Sequence, residues 1–179
     1  YDVRIVDSRQ GLKDSNLVVL SGVGNFKSGM SALKRLKLLD ELNREVLVEK
    51  KPVLGICLGM QLFSEIGFEH GETKGLGWIK GKVVKMDDSC ARLPHIGWDF
   101  VKPLDKKLFK GMHYNYFYFM HSYYFIPEDK RLVKAVTKYG GMEIASVLRK
   151  DNILGVQFHP EKSQGDGLRF LRNSLKVLI

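Results

Sequence analysis

The chain has 179 residues, of which 44% are hydrophobic and 27% charged, so it is long enough and apolar enough to form a globular domain with a substantial core. Its net charge of +9 comes from basic residues that are scattered rather than gathered in a tract, which favours a solvated basic surface over a nucleic-acid site and leaves an acidic partner or a phosphorylated small molecule open. No apolar run is long enough for a membrane helix, which argues against an integral membrane protein. The spacing of the two cysteines fits neither a zinc site nor a disulfide framework, which predicts a reduced, cytoplasmic setting.

The first third of the chain alternates between strand-like and helix-like patterns. Residues 1–7 and 16–22 are predicted strands, and the second is apolar almost throughout, as in a strand covered on both faces. Apolar residues recur every three or four positions over residues 28–50, which predicts one amphipathic helix. Residues 52–57 then read as another buried strand, and a short helix is predicted over residues 58–66.

The rest of the chain is richer in strands and ends in a helix. Five segments rich in aromatic and β-branched residues predict antiparallel pairing: 77–87, 96–103, 114–126, 131–140 and 142–151. An apolar strand at residues 153–158 and a helix at residues 163–179 follow. This order predicts an α/β fold in a single domain over residues 1–179, with a mostly parallel central sheet flanked by helices and a smaller antiparallel sheet inserted.

A cysteine lies at the junction between the strand 52–57 and the helix after it. Gly55 and Gly59 flank Cys57 two positions away on each side, which is explained either by close packing of a strand against a helix or by a nucleophile on a sharp turn. In the second case the helix N-terminus lowers the cysteine pKa, and the backbone N–H of Leu58 points to where an oxyanion forms. The glycine spacing alone does not decide between these explanations.

A thiolate nucleophile in acyl transfer needs a base, and the base needs an orienting group. Of the five histidines, His159 ends the apolar run 153–158, and Glu161 follows it two residues later. The carboxyl ends of parallel strands line the ligand crevice of an open α/β sheet, so we expect Cys57 and His159 to lie together there, with Glu161 orienting the imidazole. His121 lies inside an aromatic strand, where a structural role is expected.

Five segments stand out as motifs: "LSGVGNF", "GICLGMQLF", "PHIGWD", "FYFMHSYYF" and "VQFHPEKS". Of these, "GICLGMQLF" and "VQFHPEKS" resemble the two catalytic motifs of class I (triad-type) glutamine amidotransferases, and "LSGVGNF" resembles the glycine-rich oxyanion strand of that family. The segments "PHIGWD" and "FYFMHSYYF" narrow the resemblance to the glutaminase subunits of imidazole glycerol phosphate synthase. The five occur in the family's order over residues 18–163.

The resemblance implies a Cys-His-Glu triad that hydrolyses L-glutamine with no cofactor or metal. Cys57 would attack the side-chain amide and form a thioester, His159 would carry protons, and Glu161 would hold His159. Backbone N–H groups of Val23 and Leu58 would form the oxyanion hole. The resemblance further implies that the strand carrying Val23 needs a peptide flip before it can donate, which suppresses hydrolysis until the partner is loaded.

The resemblance also implies a substrate pocket. Gln61, one helical turn after the nucleophile, would contact the amino-acid end of glutamine. Backbone around Gly22, Gly24, Ser122 and Tyr123 would complete the pocket.

A heterodimer with a synthase or cyclase subunit is implied as well, and neither a nucleic acid nor a membrane is an implied partner. Pro94, His95 and Trp98 would face this partner, with Trp98 near the entrance of an enclosed path for ammonia. A paralogue that supplies ammonia to a sugar-modifying enzyme of surface polysaccharide synthesis shares these motifs and is the alternative. The glutaminase of pyridoxal phosphate synthesis fits less well, because it has alanine where Leu58 stands.

The chain departs from the family pattern in three places. Ser21 replaces a usual proline, and Asp99 replaces a usual asparagine. The family also has a strand and helix before the position of Tyr1, so we expect that this segment is truncated here or disordered. Two other functions stay open: a catalytically silent domain that binds a partner or nucleic acid, and a cysteine hydrolase of another γ-glutamyl compound.

Overall fold

The computed structural model describes residues 2–179, which form three β-sheets with helices packed against the largest. The helices are α1 (Arg9–Asp14), α2 (Phe26–Arg35), α3 (Leu39–Asn43), α4 (Leu58–Leu62) and α5 (Gln164–Leu178), and a π-helical turn, Arg44–Val48, continues α3. The strands are β1 (Val18–Gly22), β2 (Val53–Cys57), β3 (Ile66–Gly67), β4 (Thr73–Lys74), β5 (Gly81–Lys85), β6 (His95–Phe100), β7 (Lys102–Pro103), β8 (Tyr116–His121), β9 (Tyr123–Pro127), β10 (Val133–Tyr139), β11 (Met142–Lys150) and β12 (Ile153–Val156). Short 3₁₀ turns occupy Lys130–Leu132 and Pro160–Lys162. None of the helices in this described range has the length and apolar character required to cross a bilayer.

The central sheet has six strands in the order β1-β2-β12-β11-β10-β7. Strands β1, β2 and β12 are parallel to one another, and the three strands beyond them pair antiparallel. Every residue of β2 and β12 is buried, because apolar groups cover both faces of this part of the sheet. The predicted α/β class with a parallel core is therefore confirmed, and the carboxyl ends of β2 and β12 lie side by side.

Two apolar cores cover the two faces of the central sheet. One contains Leu12, Met30 and Leu42 from the first three helices, and the other contains Phe117, Phe119, Phe158 and Phe170 from β8, the segment directly after β12 and α5. Phe117 and Phe158 stack with their ring centroids 4.1 Å apart. This packing fixes the chain directly after β12.

The two smaller sheets supply the predicted insertion. One has the order β4-β3-β5-β9, and the other is an antiparallel ribbon of β6 and β8 that pairs His95 with His121 and Phe100 with Tyr116. The predicted strands at residues 131–140 and 142–151 form β10 and β11, which instead extend the central sheet.

The predicted strand over residues 1–7 is not found in the part that the structure describes. Residues 2–7 have no regular secondary structure, and Tyr1 lies outside the described residues. Val3 and Ile5 are exposed. An alternating pattern becomes a strand only when a neighbouring strand accepts its hydrogen bonds, and no such neighbour is present for residues 2–7.

The predicted helix over residues 28–50 is broken in its middle. Helix α2 ends at Arg35, and Lys37 adopts a left-handed conformation with φ of +55°. The N–H of Leu38 donates to the carbonyl of Leu33 at 3.1 Å, and that of Lys37 donates to the carbonyl of Lys34 at 3.0 Å. These bonds are those of a Schellman cap, which usually contains glycine, so a lysine at this position gave no sequence signal of the break.

Two glycines allow α4 to begin directly where β2 ends. A Cβ on Gly55 would lie 2.5 Å from Cζ of Phe63 and 2.7 Å from the backbone nitrogen of Met60. A Cβ on Gly59 would overlap the carbonyl group of Leu20 in β1, whose carbon would be 2.7 Å away. The spacing of these glycines around the cysteine is thus required by close packing of α4 against β1 and β2, independently of any catalytic role of the turn.

We expect Gly59→Ala to lower the free energy of unfolding by at least about 2 kcal/mol, because the added methyl group has no space beside Leu20. Gly165→Ala is the matched control, since a Cβ at that position in α5 meets nothing within 4 Å. The control should be neutral or stabilising by up to about 1 kcal/mol, as expected for alanine in a helix. Urea unfolding of both variants measures the difference, and equal stability would contradict the packing argument.

Candidate active site

Cys57 is the last residue of β2 and immediately precedes α4. Its backbone has φ of +52° and ψ of −108°, a conformation that non-glycine residues rarely adopt. The helix begins without a connecting loop, so the backbone N–H of Leu58 points at the cysteine sulfur. This is the geometry of a nucleophile elbow, the second of the two explanations for the glycine-flanked cysteine.

The Cys57 thiol is buried and is hydrogen-bonded to groups other than histidine. Its Sγ lies 3.9 Å from the carbonyl oxygen of Met120, to which it donates, and accepts from Nε2 of Gln157 at 3.6 Å. Burial raises the pKa of Cys57 to about 12, and the N–H groups of Leu58 and Gln157 oppose this rise only in part. The expectation of a lowered pKa is therefore wrong for this arrangement, because loss of hydration outweighs the helix N-terminus.

His159 and Glu161 form a hydrogen-bonded pair in the segment that follows β12. Nδ1 of His159 lies 2.7 Å from Oε1 of Glu161, whose side chain is 46% exposed. A carboxylate only accepts, so an Nδ1 proton lies in this bond and Nε2 is the ring nitrogen left to accept a proton. Nε2 is buried and has no hydrogen-bond partner among the described residues, so the histidine does not contact the thiol as a hydrogen-bond acceptor in this structure.

Neighbouring elements hold His159 in place. Its backbone N–H donates to the carbonyl of Tyr118 in β8 at 2.8 Å. Its own carbonyl accepts from Oγ of Ser163 at 2.6 Å, and the same hydroxyl accepts from the N–H of Tyr118 at 3.0 Å. The backbone of His159 is therefore fixed between β8 and the 3₁₀ turn that carries Glu161.

A cavity of about 230 Å³ opens beside Cys57. The structure brings eight of the predicted site and partner residues to its wall, together with Glu69, Met120 and His121, which were not predicted to line it. The full lining is Val23, Gly24, Cys57, Leu58, Gln61, Glu69, Pro94, Met120, His121, Ser122 and Tyr123. Gly22 is not in this lining and pairs with Cys57 across β1 and β2.

Gln61 and Glu69 have defined orientations at the cavity. Nε2 of Gln61 donates to the carbonyl of Tyr123 at 2.8 Å and to Oε1 of Gln157 at 3.1 Å. Oε2 of Glu69 accepts from the backbone N–H of Phe26 at 2.8 Å, which ties the carboxylate to the first residue of α2. Glu69 lies in the turn between β3 and β4, outside the five motif segments, so no pattern in the sequence pointed to it.

The three predicted partner-facing residues have different surroundings. Trp98 is 46% exposed, whereas the ring of His95 is buried and stacks on that of Tyr139 with centroids 3.9 Å apart. Burial lowers the pKa of His95, and Asp99, 3.3 Å from its Nε2, opposes that shift. Pro94 lines the cavity described above.

The pKa of His121, the ring paired with His95 across the ribbon, is lowered as well. Burial, followed by the charges of His95 and His159, lowers the pKa of His121 to about 3. Its Nδ1 lies 2.9 Å from the carbonyl of Tyr123, which fixes the proton on that nitrogen. Within residues 2–179, no three His, Cys, Asp or Glu side chains are grouped so as to hold a metal ion.

Comparison with known proteins identifies relatives over nearly the whole chain. The family model described as "Glutamine amidotransferase class-I" matches residues 1–178. The imidazole glycerol phosphate synthase subunit HisH of Pelagibacter ubique is 43% identical, over 98% of this chain and 86% of that protein. The subunit named HisH 2 of Methanococcus maripaludis is 45% identical, over 98% of this chain and 88% of that protein.

A solved structure supports the same fold. A crystal structure of a glutamine amidotransferase aligns with a TM-score of 0.71 and 18% identity, covering 94% of this chain and 84% of the other. At this identity the likeness concerns the fold alone, and it agrees with the mixed central sheet described above.

We expect alkylation of Cys57 by iodoacetamide to accelerate about tenfold per pH unit up to about pH 10, with no plateau, because a pKa of about 12 keeps the thiolate scarce throughout that range. A Cys90→Ser background leaves Cys57 as the single thiol, since the chain has two cysteines. Mass spectrometry of the modified peptide gives the rate. A plateau below about pH 9 would contradict the dominance of burial.

Proposed function

The chain belongs to the class-I glutamine amidotransferase family, and on this premise we propose that it is the glutaminase subunit of imidazole glycerol phosphate synthase in histidine biosynthesis. The observation that carries the proposal is the strained Cys57 elbow beside a cavity, with the His159–Glu161 pair at the end of the adjacent parallel strand. The relatives named as HisH subunits, at 43% and 45% identity, favour this activity over the sugar-modifying alternative. An intact cysteine, histidine and glutamate disfavour a catalytically silent domain.

Hydrolysis of glutamine follows from the roles of three side chains. The Cys57 thiol transfers its proton to Nε2 of His159, and the sulfur attacks the side-chain amide carbon of glutamine. The tetrahedral intermediate collapses to a thioester as His159 returns the proton to the departing nitrogen, which leaves as ammonia. His159 then takes a proton from water, whose oxygen attacks the thioester, and glutamate and the free thiol result.

The oxyanion of each intermediate needs backbone donors beside the sulfur. Leu58 N–H already points toward the sulfur, and it is the first donor of the proposed oxyanion hole. Val23, proposed as the second, follows the last residue of β1 and is 66% exposed. Gly24, directly after it, has φ of +144° and open space at its Cβ position, which supports a peptide that can reorient there.

The amino-acid end of glutamine has a complementary wall in the cavity. The carboxylate of Glu69 is suited to bind the α-ammonium group, because the attraction between the two opposite charges compensates for the water that each group loses on binding. Gln61, Ser122 and Tyr123 supply amide and backbone groups for the remaining polar atoms. Glu69 thus adds a charged contact to the pocket proposed from the sequence.

The thiol arrangement supports a resting enzyme that its partner activates. Cys57 has a pKa of about 12 and hydrogen-bonds to Met120 and Gln157, while Nε2 of His159 has no partner among the described residues. Proton transfer requires these two side chains to meet, so a change in rotamer or backbone must precede catalysis. A partner that binds next to β8, which carries Met120, is in a position to drive that change.

The ribbon of β6 and β8 is the proposed partner surface. Its exposed side chains are large and apolar, namely Ile96, Trp98, Phe100 and Tyr116. Apolar groups grouped in this way on a two-stranded ribbon mark a protein interaction site. The ribbon begins at His95, next to the cavity residue Pro94, so ammonia would leave toward the same face.

Cys57→Ser should abolish product formation from glutamine in the assembled synthase and spare product formation from added ammonium salt. The cyclase subunit uses ammonia from either source, whereas serine at this position is not activated as a nucleophile. Steady-state assays with each nitrogen donor measure the split. Cys90→Ser, which removes the exposed thiol, should change neither rate, and glutamine-dependent activity in the Cys57→Ser protein would contradict the assignment.

Trp98→Ala should weaken binding of the cyclase subunit by about tenfold or more, because large aromatic anchors dominate the binding energy of interfaces. Leu168→Ala removes a comparably exposed apolar side chain from α5 and should leave binding unchanged. Titration calorimetry with purified cyclase subunit compares the two variants. Equal affinities would place the interface elsewhere.

A further inference from the structure

We infer that Gln157 is a further catalytic residue: its amide N–H contacts the sulfur of Cys57 and stabilises the thiolate, while its amide oxygen links that donor to Gln61 in the substrate cavity. The inference rests on the proposed function, because the thiolate matters only if Cys57 is the nucleophile. Gln157 belongs neither to the strand–helix turn at Cys57 nor to the His159–Glu161 pair, so this role is additional to theirs.

The register of the central sheet places Gln157 beside the nucleophile. Ile56 and Val156 are the last paired residues of β2 and β12, so Cys57 and Gln157 each follow one position later. The backbone N–H of Gln157 donates to the carbonyl of Ser146 at 3.0 Å, which fixes its main chain against β11. Its side chain is fully buried, and its Nε2 lies 3.6 Å from the cysteine sulfur.

The same short segment therefore supplies two groups to the site. Side chains two residues apart on an extended chain point to the same side, so Gln157 and His159 both face the nucleophile end of β2. Phe158 between them points the other way and packs in the aromatic core with Phe117 and Phe170. That packing prevents the segment from rotating and keeps both polar side chains in place.

The hydrogen-bond network determines which end of the Gln157 amide faces the sulfur. The carbonyl of Tyr123 can only accept, so it holds the NH₂ group of Gln61 toward itself at 2.8 Å. That NH₂ group also lies 3.1 Å from Gln157, where its partner must be an acceptor, and hence Oε1. Nε2 of Gln157 is consequently left facing Cys57 as a donor. If the Gln157 amide were flipped, its NH₂ group would face the NH₂ group of Gln61, and two donors would meet without an acceptor.

A donor at this position favours the ionised sulfur. The neutral thiol donates to the carbonyl of Met120, a contact that turns repulsive once the proton leaves. The N–H groups of Gln157 and Leu58 then remain as the hydrogen-bond donors that the structure provides to the sulfur, and both lower the pKa that burial raises. Bonds from an N–H group to a charged acceptor are the stronger kind.

The test replaces the donor and keeps the shape of the side chain. Gln157→Met removes the N–H group, and Gln157→Glu adds a like charge beside the sulfur. In a Cys90→Ser background, the alkylation rate of Cys57 at a fixed alkaline pH should fall about tenfold or more for the first variant, as expected for a lost hydrogen bond to a charged group. The rate should fall further for Gln157→Glu, and the exposed Gln10→Met should keep the rate of the parent.

Steady-state kinetics with the cyclase subunit distinguish a role in catalysis from one in folding or in substrate binding. We expect Gln157→Met to lower kcat for glutamine about tenfold with little change in KM, because Gln157 is not part of the cavity wall. Gln61→Met, which alters the wall, should instead raise KM. Ammonium-dependent synthesis by the same complexes should be unchanged, and co-elution of each variant with the cyclase subunit in gel filtration reports that the variants fold and assemble.

The outcomes for this inference and for the proposed function are separable. An unchanged alkylation profile and kcat in both Gln157 variants, with Cys57→Ser inactive toward glutamine, would overturn the role of Gln157 and leave the function intact. An unmodified protein that turns over no glutamine with its partner would overturn the function. The alkylation profiles would still report whether Gln157 stabilises the thiolate.

Discussion

The close contact of α4 with the ends of β1 and β2 is the constraint on which the site depends. The carbonyl group of Leu20 occupies the space that a side chain at position 59 would need, and the ring of Phe63 occupies the corresponding space at position 55. These contacts let the chain pass from strand to helix at a single residue, with Cys57 at φ of +52°. The sulfur is thereby held at the carboxyl edge of the sheet, next to the segment of residues 157–161 and beside the cavity.

Burial at this edge acts on the proposed nucleophile in two ways. It excludes water from the sulfur, which would protect a thioester from uncontrolled reaction, and it also raises the pKa of Cys57 to about 12. The surrounding N–H groups offset part of this rise in pKa. In the proposed mechanism His159, held by Glu161, compensates for the remainder by accepting the proton. Such a balance makes activity sensitive to small movements of β8 and of the chain after β12, which is the property that control by a partner requires.

The elements that could be predicted from the sequence are those with a local cause. Glycines around Cys57 and the sequence His-Pro-Glu after an apolar run are direct consequences of close packing and of a strand end, so both halves of the proposed site could be placed in the fold from the sequence. Three features could not be predicted, because they depend on groups distant in sequence or on a conformation unusual for the residue type. They are the Schellman cap at Lys37, the contact of Glu69 with Phe26 and the orientation of Gln157. The segment 2–7 carries a strand pattern but pairs with no strand in the part of the chain that the structure describes, and a pattern alone cannot supply that partner.

Cys57 is proposed to react with the side-chain amide of glutamine in the cavity beside α4. Reaction of the assembled synthase with a diazoketone analogue of glutamine, followed by peptide mass spectrometry, shows whether it does so. We expect a single covalent adduct on Cys57 whose formation is blocked by excess L-glutamine. An adduct confined to Cys90, or labelling of Cys57 that L-glutamine does not slow, would contradict it.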